Sequence, residues 1–447
     1  MELKDKKVLV LGLARSGKAA VRLLQHFGAK ITINESKEAS LIEDYENYVS
    51  QGIEVVSGGQ PEELFDRDFD FVIKNPGINY HAPFILKLKQ RGIPVYTEIE
   101  LAYQMALPQN YIAVTGTNGK TTTVSLIYEV LKRHHSAVHI CGNYGIPYCD
   151  VVLDYKLYEN SGHDVVVEMS NFQLIDIDLF HPHVSSVLNL TPDHLDYMDS
   201  LDEYYASKMR IYENTDSQDI YALNLDDFTL QEYLKRYPVP CSIETFSVLH
   251  HADCELINDI IYYKGEPVIA RSDIKIVGLH NVSNIMMSII ALRYAGLSLQ
   301  DIKEGISLFH GVEHRLEFVR EVKGVQYYND SKGTNTDAAV IAIKAFDHSV
   351  ILLMGGHEKG LDIRDVAQYN DRIKILITFG ESGERFAKDM NHPHTYICEH
   401  MREAVIKASQ LAIEGDIVLL SPSTSSFDEF KNMAERGNVF KEMVKQL

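Results

Sequence analysis

The stretch YIAVTGTNGKTTTVSLIYEVL, residues 111–131, constrains this chain more than any other. An apolar, β-prone run stops at a glycine-rich turn, and a helix-prone run begins directly behind it. A strand that passes into a helix this way points free backbone N–H groups, and the positive end of the helix dipole, at whatever lies in front. That arrangement receives phosphate oxygens. Lys120 adds a cation for the β- and γ-phosphates, and the Thr121 hydroxyl adds a ligand for Mg²⁺. The spacing is shorter than in the usual phosphate loop. Val114 stands where that loop needs its first glycine, so the turn reads G-x-x-G-K-T from Gly116. The bland alternative is a plain strand-turn-helix with a solvated lysine, and it leaves the two glycines and three threonines without a role.

The flanking sequence repeats the same rhythm. KKVLVLGLA, AKITINE and FDFVIKNPGI read as strands, with SGKAAVRLLQHFG a helix between the first two. LPQN, residues 107–110, is a linker. HDVVVEMSNFQL is a strand ending in a carboxylate, and SSVLNLTPDHLD is a second, ending near Asp193 and His194. DEYYASKMRIYEN and VGLHNVSNIMMSIIALRYAGL are helices. After GVEHRLEFVREVKG come the strands VQYYNDS, SVILLMGG, KILITFG and DIVLLSPS, each followed by a loop and a helix. A chain of 447 residues exceeds one ordinary core. The fold class expected is α/β with three tandem domains: Rossmann-like over 1–109, a central P-loop ATPase-like parallel sheet over 110–311, and Rossmann-like again over 312–447.

Bulk properties narrow the function. The formal charge of −20 argues against a nucleic-acid or anionic-membrane partner, so any phosphate must be held by local donors. No apolar run approaches the roughly 20 residues that span a bilayer. The start runs straight into a strand without a signal-peptide cleavage region, so a cytoplasmic location is expected. Five scattered cysteines form no C-x-x-C pair and suit reduced thiols.

Further candidates fall at predicted strand ends. Glu168, in VVVEMS, is placed for a Mg²⁺ or is simply a solvated strand-end acid. His194, in NLTPDHLDYM, is a metal ligand or a bystander beside a helix cap at Thr191 or Asp193. Lys208 on its own reads as a surface lysine. GLARSG, with Ala14 in place of the middle glycine of a dinucleotide fingerprint, suits a diphosphate such as a UDP group, or a ligand-free turn. NDSKGTN, MGGHEKG and SPSTSSFDEF carry hydroxyls and Lys359 to one end of the third sheet, with Ser426-x-x-Glu429 a capping box at a helix start. Such a place suits a small carboxylate.

TGTNGKTT, GNYGIP, VVVEMSNFQL, LTPDHLDYM, YYASKMRIY, GLHNVSN, VEHRLE and YNDSKGTN together resemble the Mur ligase family, ATP-dependent amide-forming enzymes of peptidoglycan precursor synthesis. The likeness covers nearly the whole chain. It implies UDP-N-acetylmuramoyl-L-alanine and D-glutamate as substrates; with the charge and hydropathy readings, the partners expected are small molecules, with no nucleic acid and no membrane insertion, and the chain is expected to be a monomer. It implies that Gly116, Thr117, Asn118, Gly119, Lys120, Thr121, Thr122, Asn281, Asn284, Arg315 and Asp330 contact ATP. Two Mg²⁺ ions would be held through Thr121, Glu168, His194 and Lys208, the last carbamylated by CO₂. Lys120, His194, Lys208 and Arg315 would be catalytic. Ala14, Arg15, Ser16, Asn34, Glu35, Ser36, Asn75, Gly77 and Asn143 would line the UDP-substrate pocket, and Thr334, Lys359, Ser425 and Ser426 would bind D-glutamate. The chain departs from the family at Asn34, where an aspartate is usual, and at Met433, where some relatives carry an aromatic. Three rivals stand beside this: a folylpolyglutamate-type ligase, whose chain normally starts at the ATPase domain, whereas about 107 residues precede that domain here; a nicotinamide oxidoreductase, suggested by GLARSG alone; and a P-loop ATPase switch.

Overall fold

The computed structural model describes residues 1–192, 198, 200–346 and 348–447, without the side chain of residue 337. Three sheets follow one another along the chain. The first holds β1 (Lys7–Leu11), β2 (Lys30–Glu35), β3 (Glu54–Ser57), β4 (Phe71–Lys74) and β5 (Val95–Tyr96), in the order β3-β2-β1-β4-β5, all parallel. Four consecutive residues of β1 are buried, as expected for a strand covered on both faces. The helix Arg15–His26 buries Ala19, Ala20, Leu23 and Leu24. It approaches the strand end closely because residue 17 is glycine: a Cβ there would stand 1.9 Å from the Gly12 carbonyl oxygen.

The second sheet holds β6 (Asn110–Thr115), β7 (Val138–Gly142), β8 (Asp164–Glu168), β9 (Val184–Val187), β10 (Ile220–Asn224), β11 (Ser242–Ser247), β12 (Cys254–Ile257), β13 (Ile260–Tyr263) and β14 (Glu266–Ala270). Its order is β14-β13-β12-β11-β10-β9-β6-β8-β7, parallel from β7 to β12 and antiparallel at β12–β13. The third holds β15 (Glu317–Val322), β16 (Val325–Asn329), β17 (Val350–Gly355), β18 (Ile373–Phe379), β19 (Thr395–Ile397) and β20 (Ile417–Leu420). Its order is β15-β16-β20-β17-β18-β19, parallel except for the β15–β16 pair.

The chain forms two compact units, Met1–Val268 with Ser283–Gly305, and Ile269–Val282 with Ile306–Leu447. Within the first, one hydrophobic core runs under the first two sheets and includes Val8, Val10, Tyr111, Ala113, Val165 and Val167. Polar contacts also hold these sheets together. Lys74 pairs with Asp176 at 3.2 Å, both side chains 1% exposed. Burial pulls the Lys74 ammonium below its usual range while Asp176 resists that shift. Glu100 accepts the backbone N–H groups of Asp178, Leu179 and Phe180.

Two local expectations are corrected. The strand expected to run toward residue 193 ends at Val187. No helix starts at Ser426: residues 427–432 are turns and bends, and the next helix is Met433–Gln446, capped by the Asn432 side chain on the Glu435 N–H. Ser426 instead accepts the Phe430 N–H on its backbone carbonyl at 2.8 Å. Five free cysteines are found among the described residues, and no described helix is long and apolar enough to cross a membrane.

Candidate functional site

Strand β6 lies between β8 and β9, while the helix that follows it, Lys120–Leu131, leads to β7 at the sheet edge. The chain therefore leaves β6 at a switch point, where a parallel sheet opens a crevice at its carboxyl ends. Val114 is level with Glu168, and Thr115 with Val187. The turn between strand and helix is a built object. Thr117 donates its N–H to the Asn189 carbonyl at 3.0 Å, and Asn118 donates to the Asn189 side-chain oxygen at 2.8 Å. The Asn189 amide returns a bond to the Asn118 carbonyl at 3.0 Å. Gly119 caps the helix at φ 88°. The positive φ favours glycine, and a Cβ there would stand 2.4 Å from the Asn284 side-chain oxygen, so that side chain would have to move aside.

Two ammonium groups converge on this turn. Lys120 Nζ donates to the carbonyls of Gly116 and Thr117 at 2.7 and 2.8 Å, and Lys208 Nζ donates to Gly116 at 3.1 Å. Both side chains therefore end at one turn, in a chain of strongly negative net charge. Lys208 is not a surface residue: it is 2% exposed and lies 4.6 Å from the Tyr204 ring centroid. The helix Leu201–Met209 turns Tyr204, Tyr205, Ser207, Lys208 and Met209 inward, and the Tyr204 hydroxyl reaches Thr117 Oγ1 at 3.3 Å. Charge class alone argued for solvent; the apolar neighbours on the same helix decided otherwise.

Glu168 is 2% exposed. Its Oε1 accepts from the Asn143 amide at 2.7 Å, and its Oε2 is buried without a hydrogen-bond partner among the described residues. A buried carboxylate oxygen left over in this way is costly unless a cation takes it. With the buried Thr121 hydroxyl and an all-oxygen donor set, these residues fit Mg²⁺. His194 lies outside the described residues. Thr122 is buried in the first turn of the same helix as Thr121.

In the first sheet, residues 12–16, 34–36 and 75–77 stand together because Leu11 is level with both Asn34 and Lys74. Leu13 donates its N–H to Glu35 Oε2 at 2.7 Å, and the Asn75 amide donates to Ser16 Oγ at 3.0 Å. Burial pushes the Glu35 carboxyl up, but bonds from the Leu13 and Lys37 N–H groups and the Ser36 hydroxyl outweigh it and hold the group below its usual range. Asn34 is 2% exposed and spends its amide on the carbonyls of Val56 and Gly59. Gly77 donates its N–H to Asn75. Ala14 precedes the helix without a side-chain cap. Arg15 donates to the Gly145 carbonyl, in the loop that also carries Asn143.

The second unit carries the remaining candidates. Asp330 follows β16, is buried, and accepts from Ser421 Oγ at 2.8 Å and the Leu316 N–H at 3.2 Å. Burial pushes its carboxyl up to about 6, against the pull of Ser421 and Arg315. Burial, followed by the Arg315 charge, pulls His280 down to about 4. Asn281 donates to the Val277 carbonyl at 2.7 Å; Asn284 lies one turn on, and the division between the units passes between the two. Thr334, Lys359 and the Ser425–Ser426 pair stand in the loops after β16, β17 and β20, three adjacent strands. Lys359 is exposed, and Ser425 Oγ is buried without a partner among the described residues.

Sequence reasoning passed over Asn189, which clasps the turn, and Arg436, which is fully buried among the third-sheet loops. A signal for Arg436 existed. Arg436, Phe440 and Val444 recur every four residues on the buried stripe of the last helix, where a cation is out of place.

A glycine-rich turn at the switch point of a parallel sheet, with a buried glutamate at the end of the adjacent strand, is the arrangement of enzymes that consume a nucleoside triphosphate. Residues 114–292 match the Mur ligase middle domain, 314–424 the glutamate ligase domain of Mur ligases, and 6–97 the N-terminal domain of the MurD-like Mur ligases. The UDP-N-acetylmuramoylalanine–D-glutamate ligase of Geobacillus kaustophilus is 38% identical, over 99% of this chain and 98% of its own. That of Alkaliphilus metalliredigens is 39% identical, over 100% and 99%. Among solved structures, the MurF ligase of Thermotoga maritima in complex with ADP superposes with a TM-score of 0.60 at 16% identity, over 100% of this chain and 96% of that one. The UDP-N-acetylmuramate–alanine ligase MurC of Thermotoga maritima superposes with a TM-score of 0.58 at 19% identity, over 99% of each. The chain belongs to the Mur ligase family and is an ATP-dependent ligase.

Proposed function

We propose that the chain joins D-glutamate to UDP-N-acetylmuramoyl-L-alanine in peptidoglycan precursor synthesis, consuming ATP. The names of relatives 38–39% identical over the full chain support the substrates. The observation that carries the chemistry is the turn itself: Lys120 and Lys208 meet at the Gly116 carbonyl, in the sheet where Glu168 keeps an oxygen without a hydrogen-bond partner among the described residues. We assign residues 1–109 to the UDP end of the substrate, 110–311 to ATP and 312–447 to the acceptor. The working form in this reading is a cytoplasmic monomer.

A carboxylate does not yield to an amine, because the departing group would be oxide. In this reading an oxygen of the L-alanyl carboxylate attacks the γ-phosphorus, the bond to ADP breaks, and an acyl phosphate forms. The D-glutamate amine, having lost its proton, attacks the acyl carbon; phosphate leaves with one of the original carboxylate oxygens, and the amide remains. Two anions must approach in the first step. Lys120, on the 116–121 turn, offsets their repulsion and follows the charge of the transferring phosphoryl group. A bound Mg²⁺ would neutralise phosphate charge and polarise the phosphorus; Thr121 and Glu168 would hold one ion, and His194 with Lys208 a second.

Lys208 fits that role as a carbamate. Its neutral amine forms an N–C bond to CO₂ and gives up a proton, which turns a cation that would repel the metal into an anion that attracts it. Asn143, bonded to Glu168, would stand beside the acyl end. Ala14, Arg15, Ser16, Asn34, Glu35, Ser36, Asn75 and Gly77 would surround the UDP. Asn281, Asn284, Arg315 and Asp330 would meet the nucleotide, and Thr334, Lys359, Ser425 and Ser426 the acceptor carboxylates.

The test is isotopic. UDP-N-acetylmuramoyl-L-alanine labelled with ¹⁸O in its carboxylate is turned over with ATP and D-glutamate, and one ¹⁸O is expected in the inorganic phosphate. Unlabelled phosphate ends the acyl-phosphate reading. ADP release against a panel of acceptor amino acids tests the substrate, and release with no acceptor present would favour the switch.

A further inference from the structure

The fully buried Arg436 binds two loops of the third sheet and lies beside the third. Its Nε donates to Ser331 Oγ at 3.0 Å and its Nη2 to the Ser331 carbonyl at 2.9 Å, in the loop after β16. The same Nη2 donates to the Thr424 carbonyl at 3.0 Å, in the loop after β20. Nη1 faces Gly356, in the loop after β17, where a Cβ would stand 3.0 Å away. These are the loops that carry Thr334, Ser425 with Ser426, and Lys359. Backbone bonds link them further, from the Ser423 N–H to Gly333 at 2.9 Å and from the His357 N–H to Ser425 at 2.9 Å. A planar guanidinium can hold two carbonyls and a hydroxyl at fixed angles at once, which an ammonium cannot.

The cluster also has a surplus of donors. Nη1 of Arg436 and the hydroxyls of Ser423 and Ser425 are buried without hydrogen-bond partners among the described residues. The acids around the guanidinium are Asp330, Asp428 and Glu429; burial pulls it down to about 10 against their pull, so it stays charged near neutrality. A staple serving stability alone would be expected to have its donors satisfied. Unspent donors and a retained positive charge under three converging loops suit a ligand that brings oxygens and negative charge.

We propose that Arg436 is a positioning residue for the acceptor: it sets the spacing of the loops that grip a small dicarboxylic amino acid. The inference rests on the assignment of the acceptor to those loops. Arg436→Lys keeps the charge and loses the fork; Arg436→Met loses both; Ser331→Ala removes one anchor and keeps the cation. Steady-state kinetics with D-glutamate, ATP and UDP-N-acetylmuramoyl-L-alanine give a KM for each substrate. Arg436→Lys and Arg436→Met are expected to raise the acceptor KM about tenfold or more with the ATP KM changed less than twofold, and Ser331→Ala to act the same way more weakly. Millimolar guanidinium should restore part of the Arg436→Met loss. Equal shifts in the acceptor and ATP KM, or a lower kcat with both KM values unmoved, overturn the proposal. If the Arg436 variants do not fold, Ser331→Ala decides it by the same ratio. A wild-type chain inert toward D-glutamate refutes the substrate reading instead, and the ratio is then measured with whichever acceptor the chain uses.

Discussion

Glu98 offers a prediction whose size can be worked from the structure. It opens the helix Glu98–Met105, is buried, and accepts the Cys149 N–H of the neighbouring helix Tyr148–Asp154 through Oε1. Burial pushes its carboxyl from 4.5 up to about 7; the Cys149 bond opposes the shift and Asp150 adds to it. A carboxyl that holds its proton more tightly when folded weakens the fold once it must ionise. Its cost is absent below about pH 4.5, grows between 4.5 and 7, and is complete above 7. The span from 4.5 to about 7, at ~1.4 kcal/mol per pH unit, is on the order of 3 kcal/mol. Glu98→Gln keeps the acceptor oxygen and removes the charge. The melting temperature of the variant, minus that of the wild type, should therefore be more positive at pH 8 than at pH 5. At roughly 2–4 °C per kcal/mol for a domain of this size, the change in that difference is on the order of 5–10 °C. A difference that stays constant with pH, or shrinks as pH rises, would refute the assignment of a protonated, buried Glu98.

The remaining predictions concern the reaction. Lys120→Met should lower kcat by about 10²–10³ with the fold intact, since it removes a charge aimed at the transferring phosphoryl group; near-normal ADP release would remove Lys120 from the chemistry. Lys208→Ala should lose turnover that bicarbonate cannot restore and short carboxylates such as acetate partly do, because they replace the missing carboxylate; near-normal rates would end the carbamate assignment. Lys359→Ala should raise the KM for D-glutamate about tenfold and the ATP KM less, and an equal effect on both would take Lys359 out of the acceptor site. Gly119→Ala should raise the ATP KM about tenfold or more, because alanine is strained at φ 88° and its Cβ would displace the Asn284 side chain; an unchanged ATP KM would show that the turn can rearrange.

Much of the fold and site was legible in the chain because it is written locally. The G-x-x-G-K-T turn needs only its own glycines, lysine and threonines to announce a phosphate receptor, and the apolar runs at β1, β8 and β17 announce strands covered on both faces. What is not local was not legible. The edge strands β15 and β19 lack a continuous apolar run, and β12 and β13 are only four residues each, so their pairing is visible only beside their neighbours. Ser426-x-x-Glu429 has the letters of a cap without the helix, because 427–432 turn away before Met433.

The sequence by itself determined that this chain makes parallel-sheet domains and carries a phosphate turn at 116–121, since periodicity and turn chemistry act over a few neighbouring residues. Tertiary structure alone decided that Lys208 leaves solvent for the Gly116 carbonyl, that Glu168 buries an oxygen that no described residue hydrogen-bonds, and that Arg436 lies under the three loops of the third sheet. The physical reason is that burial and juxtaposition are set by residues distant in the chain. Where a charged side chain comes to rest depends on which partners the folded sheets bring to it.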